Sequence, residues 1–234
     1  MSITSVFRSV VGCGVILSGV LFSAPALASV VVLNFAGLNG QGQERVQNFY
    51  NGGFGSLGSS GTNYGIRFGT DALACNGQPG GTCNVGAIPG GPGANIVFFL
   101  SGTGSIMNVA AGFDTGFSFF YSAINNAGIV NVFGGENGTG ALLTSLNLAV
   151  TPSTPGSNGC SGGAFCPFFA AGVNFAGIAR SVNFSGTANQ IAFANITLGS
   201  ATAGGGNNVP EPGSLALAGI ALLGAVAARR RQSA

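Results

Sequence analysis

Between residues 29 and 199 the apolar residues come in short runs, separated by clusters of Gly, Asn and Ser. No run in this stretch keeps a helical period long enough for an amphipathic helix. Composition and alternation predict roughly ten strands. They fall over 30–35, 45–50, 64–68, 95–100, 105–109, 116–124, 129–133, 142–150, 178–184 and 190–198. In the sixth, Phe117, Phe119 and Tyr121 share one face, although Phe120 breaks the alternation. In the last, Ile191, Phe193 and Ile196 do not keep one parity. That pattern calls either for a bulge near residues 194–195 or for burial on both faces. Many short strands with turn residues between them predict an all-β chain, a β-sandwich of jelly-roll type. No fixed-period repeat is visible, so a β-helix is the weaker alternative.

Composition adds to this picture. Of 234 residues, 46% are hydrophobic and only 5% are charged, with 43 glycines and no histidine or tryptophan. An ordinary soluble domain is about 25% charged. All seven basic residues are arginines. The formal charge of +2 comes from the ends, where Arg8, Arg229, Arg230 and Arg231 lie. Between residues 29 and 208, Arg45, Arg67 and Arg180 stand against Glu44, Asp71, Asp114 and Glu136. No basic patch is present to neutralise a run of phosphates, so nucleic acid is not an expected partner.

The two ends have their own grammar. Residues 1–28 have the parts of a secretory signal peptide: Arg8, an apolar run over 10–22, and small residues at Ala26 and Ala28, where signal peptidase cleaves. The apolar run is shorter than the ~20 residues of a membrane span, which favours a cleaved signal helix over an anchor. Cys13, after Val11 and Gly12, faintly resembles a lipoprotein site, but the apolar run continues past it. At the other end, Val209, Pro210, Glu211 and Pro212 precede an apolar segment over 214–228 and then Arg229, Arg230 and Arg231. The prolines keep the Glu211 segment extended. The apolar segment can enter a bilayer as a short transmembrane helix, with the arginines on the cytoplasmic side. Residues 200–208, rich in Gly, Ala and Asn, read as a flexible spacer.

The tail over 209–234 resembles the PEP-CTERM sorting signal. The resemblance implies cleavage near Pro-Glu-Pro by a membrane-embedded exosortase, in a Gram-negative bacterium that makes exopolysaccharide. The protein would sit transiently in the inner membrane through its tail, then reach the cell surface or the extracellular matrix. The body also resembles a group of PEP-CTERM β-sandwich proteins. The matching stretches are NFYNGGFGSLGSSGTNYGIRF over 48–68, MNVAAGFDTGFSFFYSAIN over 107–125 and GTANQIAFANITLG over 186–199. Related sandwiches often begin with a Phe-Glu-Gly-Leu-like strand and end with a Phe-Asp-Asn-Ile-like one, whose acids can hold calcium. Here the stretches are Phe35-Ala36-Gly37-Leu38 and Phe193-Ala194-Asn195-Ile196. With both acids replaced by alanine, a hard cation loses the ligands it needs. No metal or cofactor is expected.

Four cysteines remain after signal removal, in two close pairs: Cys75 with Cys83, and Cys160 with Cys166. Three connectivities are possible. Pairing within each cluster is expected in an oxidising compartment. The rival reading is a four-cysteine zinc site, whose ligands usually come in closer CxxC-like pairs.

Lack of histidine excludes a Ser-His-Asp triad and any His-ligated metal, and lack of lysine excludes a Schiff base or Ser-Lys dyad. The remaining option is a carboxylate pair drawn from Glu44, Asp71, Asp114 and Glu136, as in a glycosidase. The simpler assignment is strand-end solvation for Glu44, a turn contact for Asp114, and salt bridges to these acids for Arg67 and Arg180. Tyr50, Phe54 and Tyr64 could stack on sugar rings if exposed. Glycines 52, 53, 55, 80 and 81 lack the strand–helix context of a phosphate loop. Asn137, Asn183 and Asn195 open glycosylation-like triplets. The sequence therefore predicts a non-enzymatic surface or biofilm-matrix protein with a structural or adhesive role. A lectin-like module for exopolysaccharide is the alternative; a glycan hydrolase or an ice-binding protein is more remote.

Overall fold

The computed structural model describes residues 30–76, 83–91, 93–151, 153–154, 156, 160 and 165–205. The expected signal peptide over 1–28 and sorting tail over 209–234 lie outside the described residues. Among the described residues, no helix is long and apolar enough to cross a membrane.

Among the described residues, eleven strands form two antiparallel sheets. They are β1 (Val31–Leu33), β2 (Ile66–Phe68), β3 (Leu73–Cys75), β4 (Ile96–Phe98), β5 (Gly104–Phe113) and β6 (Gly116–Ala123). Then follow β7 (Gly128–Phe133), β8 (Leu142–Leu148), β9 (Phe169–Asn174), β10 (Ala179–Ser185) and β11 (Ile191–Leu198). One sheet runs β3-β4-β11-β6-β9, with β1 sharing the β4 edge of β11. The other runs β2-β5-β10-β7-β8. The pairs nest: β7 with β8, β6 with β9, β5 with β10 and β4 with β11. Successive nested pairs fall in opposite sheets, so the chain is one long hairpin rolled on itself. This is the jelly-roll topology, and it realises the predicted β-sandwich.

The inner faces meet in an aromatic core. Phe119 packs edge-on against Phe193 at 5.5 Å, and Phe193 against Phe184 at 4.8 Å. Strand β11 resolves its mixed parity through both devices that the sequence allows. Asn195, at φ 47°, inserts one extra residue between the pairs Ala194–Phe120 and Thr197–Ser118. The inward set therefore switches from Ile191 and Phe193 to Ile196 and Leu198. The outward residues Ala192 and Ala194 are buried as well, in a second cluster with Phe98 and Phe165. Phe120 packs against that cluster, which accounts for its break in the alternation of β6.

Several elements differ from their predicted form. The predicted strand over 45–50 is only a bridge at Arg45 followed by turns. Val46, Phe49 and Tyr50 are all buried. Their spacing is that of a turn, and the Phe49 N–H donates to the Val46 carbonyl. Strands β3 and β9 were not foreseen. Strand β9, FAAGVN, is a mostly exposed edge built mainly of small residues, so it carries little hydrophobic signal. Strand β5 runs four residues beyond its predicted end at Val109.

The predicted flexible spacer also needs correction. Residues 200–205 lie back on the β6–β11–β9 sheet. The Ser118 hydroxyl donates to the Ser200 carbonyl at 2.9 Å, and the Gly204 N–H donates to Thr197 Oγ1 at 3.1 Å. Ser118 and Thr197 are buried hydroxyls on the outer face of that sheet. A buried hydroxyl needs a partner, and this strap of chain supplies it.

Candidate functional site

Two long connections each send a residue onto the outer face of the β4–β11–β6 sheet, Val85 from one and Phe165 from the other, where they pack with Ala192 and Ala194. One joins β3 to β4 and the other joins β8 to β9. A Cys75–Cys83 disulfide closes the first, with 6.1 Å between Cα atoms, and a Cys160–Cys166 disulfide closes the second, with 5.7 Å. The two connections are joined by a parallel bridge between Val85 and Phe165. Within it the Phe165 N–H donates to the Asn84 carbonyl at 3.1 Å, and the Gly86 N–H to the Phe165 carbonyl at 3.2 Å.

Beside this bridge a groove of about 350 Å³ opens on the outer face. Its floor is apolar: Ile96, Phe98 and Phe165, with Ile124 and Leu100 along the side. Leu100 is 48% exposed. Its rim carries amides, from Gln43, Asn84, Asn189 and Gln190, and the sulfur of Cys83. Among the described residues, no charged side chain lines it.

The rim is positioned by local geometry. Gln43 and Asn189 both have positive φ, 50° and 58°. The Asn189 N–H donates to the Phe99 carbonyl at 2.8 Å, which fixes the turn before β11. Gln190 Oε1 accepts from Asn125 Nδ2 at 2.9 Å, and the Gln190 carbonyl accepts the Ile124 N–H at 3.0 Å. Gln43 Nε2 donates to Cys83 Sγ at 3.8 Å.

None of the four acids lines this groove. Glu44, expected as a solvated strand-end residue, is 0% exposed. Its Oε1 accepts the N–H groups of Leu57 at 2.9 Å and Ser59 at 3.1 Å. Its Oε2 accepts the Asn39 N–H at 2.8 Å and the Ser59 hydroxyl at 2.6 Å. Burial pushes this carboxyl up, but the four donors outweigh burial and hold it below its ordinary value. Glu44 is thus the internal anchor of the 39–61 loop. Asp114 sits in the turn between β5 and β6, as expected, with the Thr115 hydroxyl on its Oδ1 at 2.9 Å. Asp71 takes the Ser101 hydroxyl at 3.3 Å, and Glu136 opens a 3-10 turn over Glu136–Gly138. Arg180 does not reach an acid; its Nη1 donates to the Ala110 carbonyl. Among the described residues, no group of three or more His, Cys, Asp or Glu is placed to hold a metal ion.

The Phe35–Leu38 stretch is held by an asparagine. Asn95 Nδ2 donates to both the Phe35 carbonyl, at 2.8 Å, and the Leu38 carbonyl, at 3.2 Å. Asn95 Oδ1 accepts from Asn76 Nδ2 at 2.9 Å. One amide group thus ties both carbonyls together.

The three aromatics singled out for sugar stacking separate. Tyr50 is buried, and its Oη accepts the Phe35 N–H at 2.8 Å. Phe54 is 64% and Tyr64 42% exposed, on the 51–65 loop, and neither lines the groove. Of the three glycosylation-like asparagines, Asn137 is exposed, Asn183 half-buried in β10, and Asn195 buried. Leu100, Ile124, Asn189 and Gln190 were not singled out from sequence. They carry no motif; they converge only because β4, β6 and β11 are neighbours.

The described domain is thus a jelly-roll β-sandwich on whose outer face a Val85–Phe165 bridge joins two disulfide-bonded connections. The PEP-CTERM protein-sorting motif matches residues 208–231, so the chain carries the signal of an exported protein that is sorted to the cell surface and processed by an exosortase. The matched span includes Val209, Pro210, Glu211 and Pro212 and the three terminal arginines. No curated protein matches the chain. Among solved structures, the K2 cleaved adhesin domain of Lys-gingipain is similar at 10% identity, covering 57% of this chain and 89% of its own, with a TM-score of 0.38. The K3 adhesin domain of Lys-gingipain from Porphyromonas gingivalis w83 gives 12% identity, coverages of 51% and 79%, and a TM-score of 0.33. A glycoside hydrolase family 43 arabinoxylan arabinofuranohydrolase from Bacillus subtilis gives 21% identity, coverages of 58% and 27%, and a TM-score of 0.33. At these scores the likenesses say nothing about function.

Proposed function

We propose that the chain acts, after sorting, as a non-enzymatic structural or adhesive protein in the surface layer or biofilm matrix of a Gram-negative bacterium. The observation that carries this reading is how the titratable groups are used. The chain has no histidine or lysine. Among the described residues, Glu44 is the one fully buried acid and has both oxygens engaged by its own loop, and none that lines the groove is charged. General acid–base or nucleophilic catalysis needs a poised titratable group facing a cleft, and the groove supports recognition instead. In this reading signal peptidase cleaves after Ala28 and exosortase near Pro210. The 214–228 segment holds the chain in the inner membrane only until that second cut.

The test is the intact mass of the protein recovered from its host, in surface, medium and inner-membrane fractions, with and without reduction. Loss of both ends in the surface or medium fraction, with a gain of two disulfides' worth of hydrogens on reduction, is the expected result. A full-length tail found only in the inner-membrane fraction would overturn the proposal. A second reading, a carbohydrate-binding module for exopolysaccharide, is favoured by the amide rim of the groove.

A further inference from the structure

We infer that the groove beside the Val85–Phe165 bridge binds a short segment of an uncharged polysaccharide. The inference rests on the reading of the chain as a surface or matrix protein and gives that reading a ligand class.

The volume, about 350 Å³, lies at the lower end of the ~300–1,000 Å³ typical of small-ligand sites. The chemistry of the lining selects the occupant. A side-chain amide offers both donor and acceptor, as a sugar hydroxyl does, and Asn84, Asn189 and Gln190 stand around an apolar floor. Leu100 and Ile124 along the side give an apolar surface for the C–H face of a pyranose ring.

Other occupants fit less well. An acidic glycan or a phosphate would lose hydration with no cation in the lining to replace it. A lipid tail would leave the rim amides without partners. An extended peptide would seek a free strand edge, but β4 pairs with β3 on one side and β11 on the other.

The walls are also set in advance. The Cys75–Cys83 and Cys160–Cys166 disulfides and the Val85–Phe165 bridge hold the two connections, so little ordering is left to binding.

Isothermal titration calorimetry of the full chain in mild detergent tests the inference. The probes are neutral hexasaccharides of glucose, mannose, galactose and xylose, with a hexauronate as the anionic comparison. At least one neutral probe should bind with a Kd of about 1 mM or tighter, and the hexauronate should not. Leu100→Asp places a charge in the groove and should weaken binding at least about tenfold. Leu142→Asp, at a position 56% exposed on β8 of the other sheet, should leave binding unchanged. Asn84→Asp, on the exposed rim, repeats the test should Leu100→Asp shift the unfolding midpoint. Absence of binding to every neutral probe would overturn the inference, as would binding to the hexauronate alone. Binding unaffected by both groove variants would do the same. Each of these outcomes leaves the sorting proposal standing, because that one is decided by mass and cell fraction.

Discussion

Replacing Glu44 by Gln tests whether a single buried carboxylate organises the 39–61 loop. The side chain is fully enclosed and accepts four hydrogen bonds between 2.6 and 3.1 Å. A glutamine keeps one acceptor oxygen and turns the other into a donor. In its better orientation the oxygen stays with Leu57 and Ser59, and the new amide nitrogen can donate to the Ser59 hydroxyl. The Asn39 N–H then faces another N–H and loses its acceptor. An unsatisfied buried donor costs about 1–3 kcal/mol, and each bond to a charged group that becomes neutral loses roughly a further 1 kcal/mol. The sum is roughly 3–5 kcal/mol, a large part of the ~5–15 kcal/mol that holds a domain together. Urea unfolding of the disulfide-intact protein should show a lower midpoint at unchanged slope. The effect also has a pH signature. The folded carboxyl titrates below its ordinary value of 4.5, so its contribution is fully present above that pH and is lost as pH falls through the folded value. Wild type should become less stable as pH falls below 4.5 through the folded value, and Glu44→Gln should lack that dependence. A midpoint within about 0.5 kcal/mol of wild type at pH 7 would refute the anchoring role.

Asn95→Ala should lower stability by about 2–4 kcal/mol, because it leaves the Phe35 and Leu38 carbonyls and the Asn76 amide without their shared partner. Asn95→Asp should be worse than Ala in the same unfolding assay, since a carboxylate only accepts and would face two carbonyl oxygens. Equal effects would show that the amide does not draw those carbonyls together. Gly172→Ala should cost about 1–3 kcal/mol, because a methyl group there runs into the Ala201 carbonyl oxygen. Hydrogen exchange at the Gly204 N–H should speed up in that variant; an unchanged rate would mean that residues 200–205 are not held as a strap.

What could be read from the sequence was local. Alternation over two residues marked most strands, as with Phe117, Phe119 and Tyr121 in β6, because strand side chains alternate between faces whatever their neighbours are. The broken parity of β11 was legible as a defect, and both of its possible causes occur together. The sorting signal was legible because it is contiguous. The absence of histidine and lysine removed whole classes of chemistry without reference to any fold.

The rest depended on contacts between residues distant in sequence. Glu44 looked solvated because carboxylates usually are; only the return of Leu57 and Ser59 supplied enough donors to bury it. The small residues of β9 carried no period strong enough to announce a strand, and pairing with β6 made them one. Residues 200–205 had the composition of a linker, yet two buried hydroxyls on another part of the chain gave them partners. The groove exists only where β4, β6 and β11 lie side by side, next to the Val85–Phe165 bridge. A periodic pattern states which face a residue turns to the core. It carries no information about which strand lies next to it, and that adjacency created every feature of the proposed site.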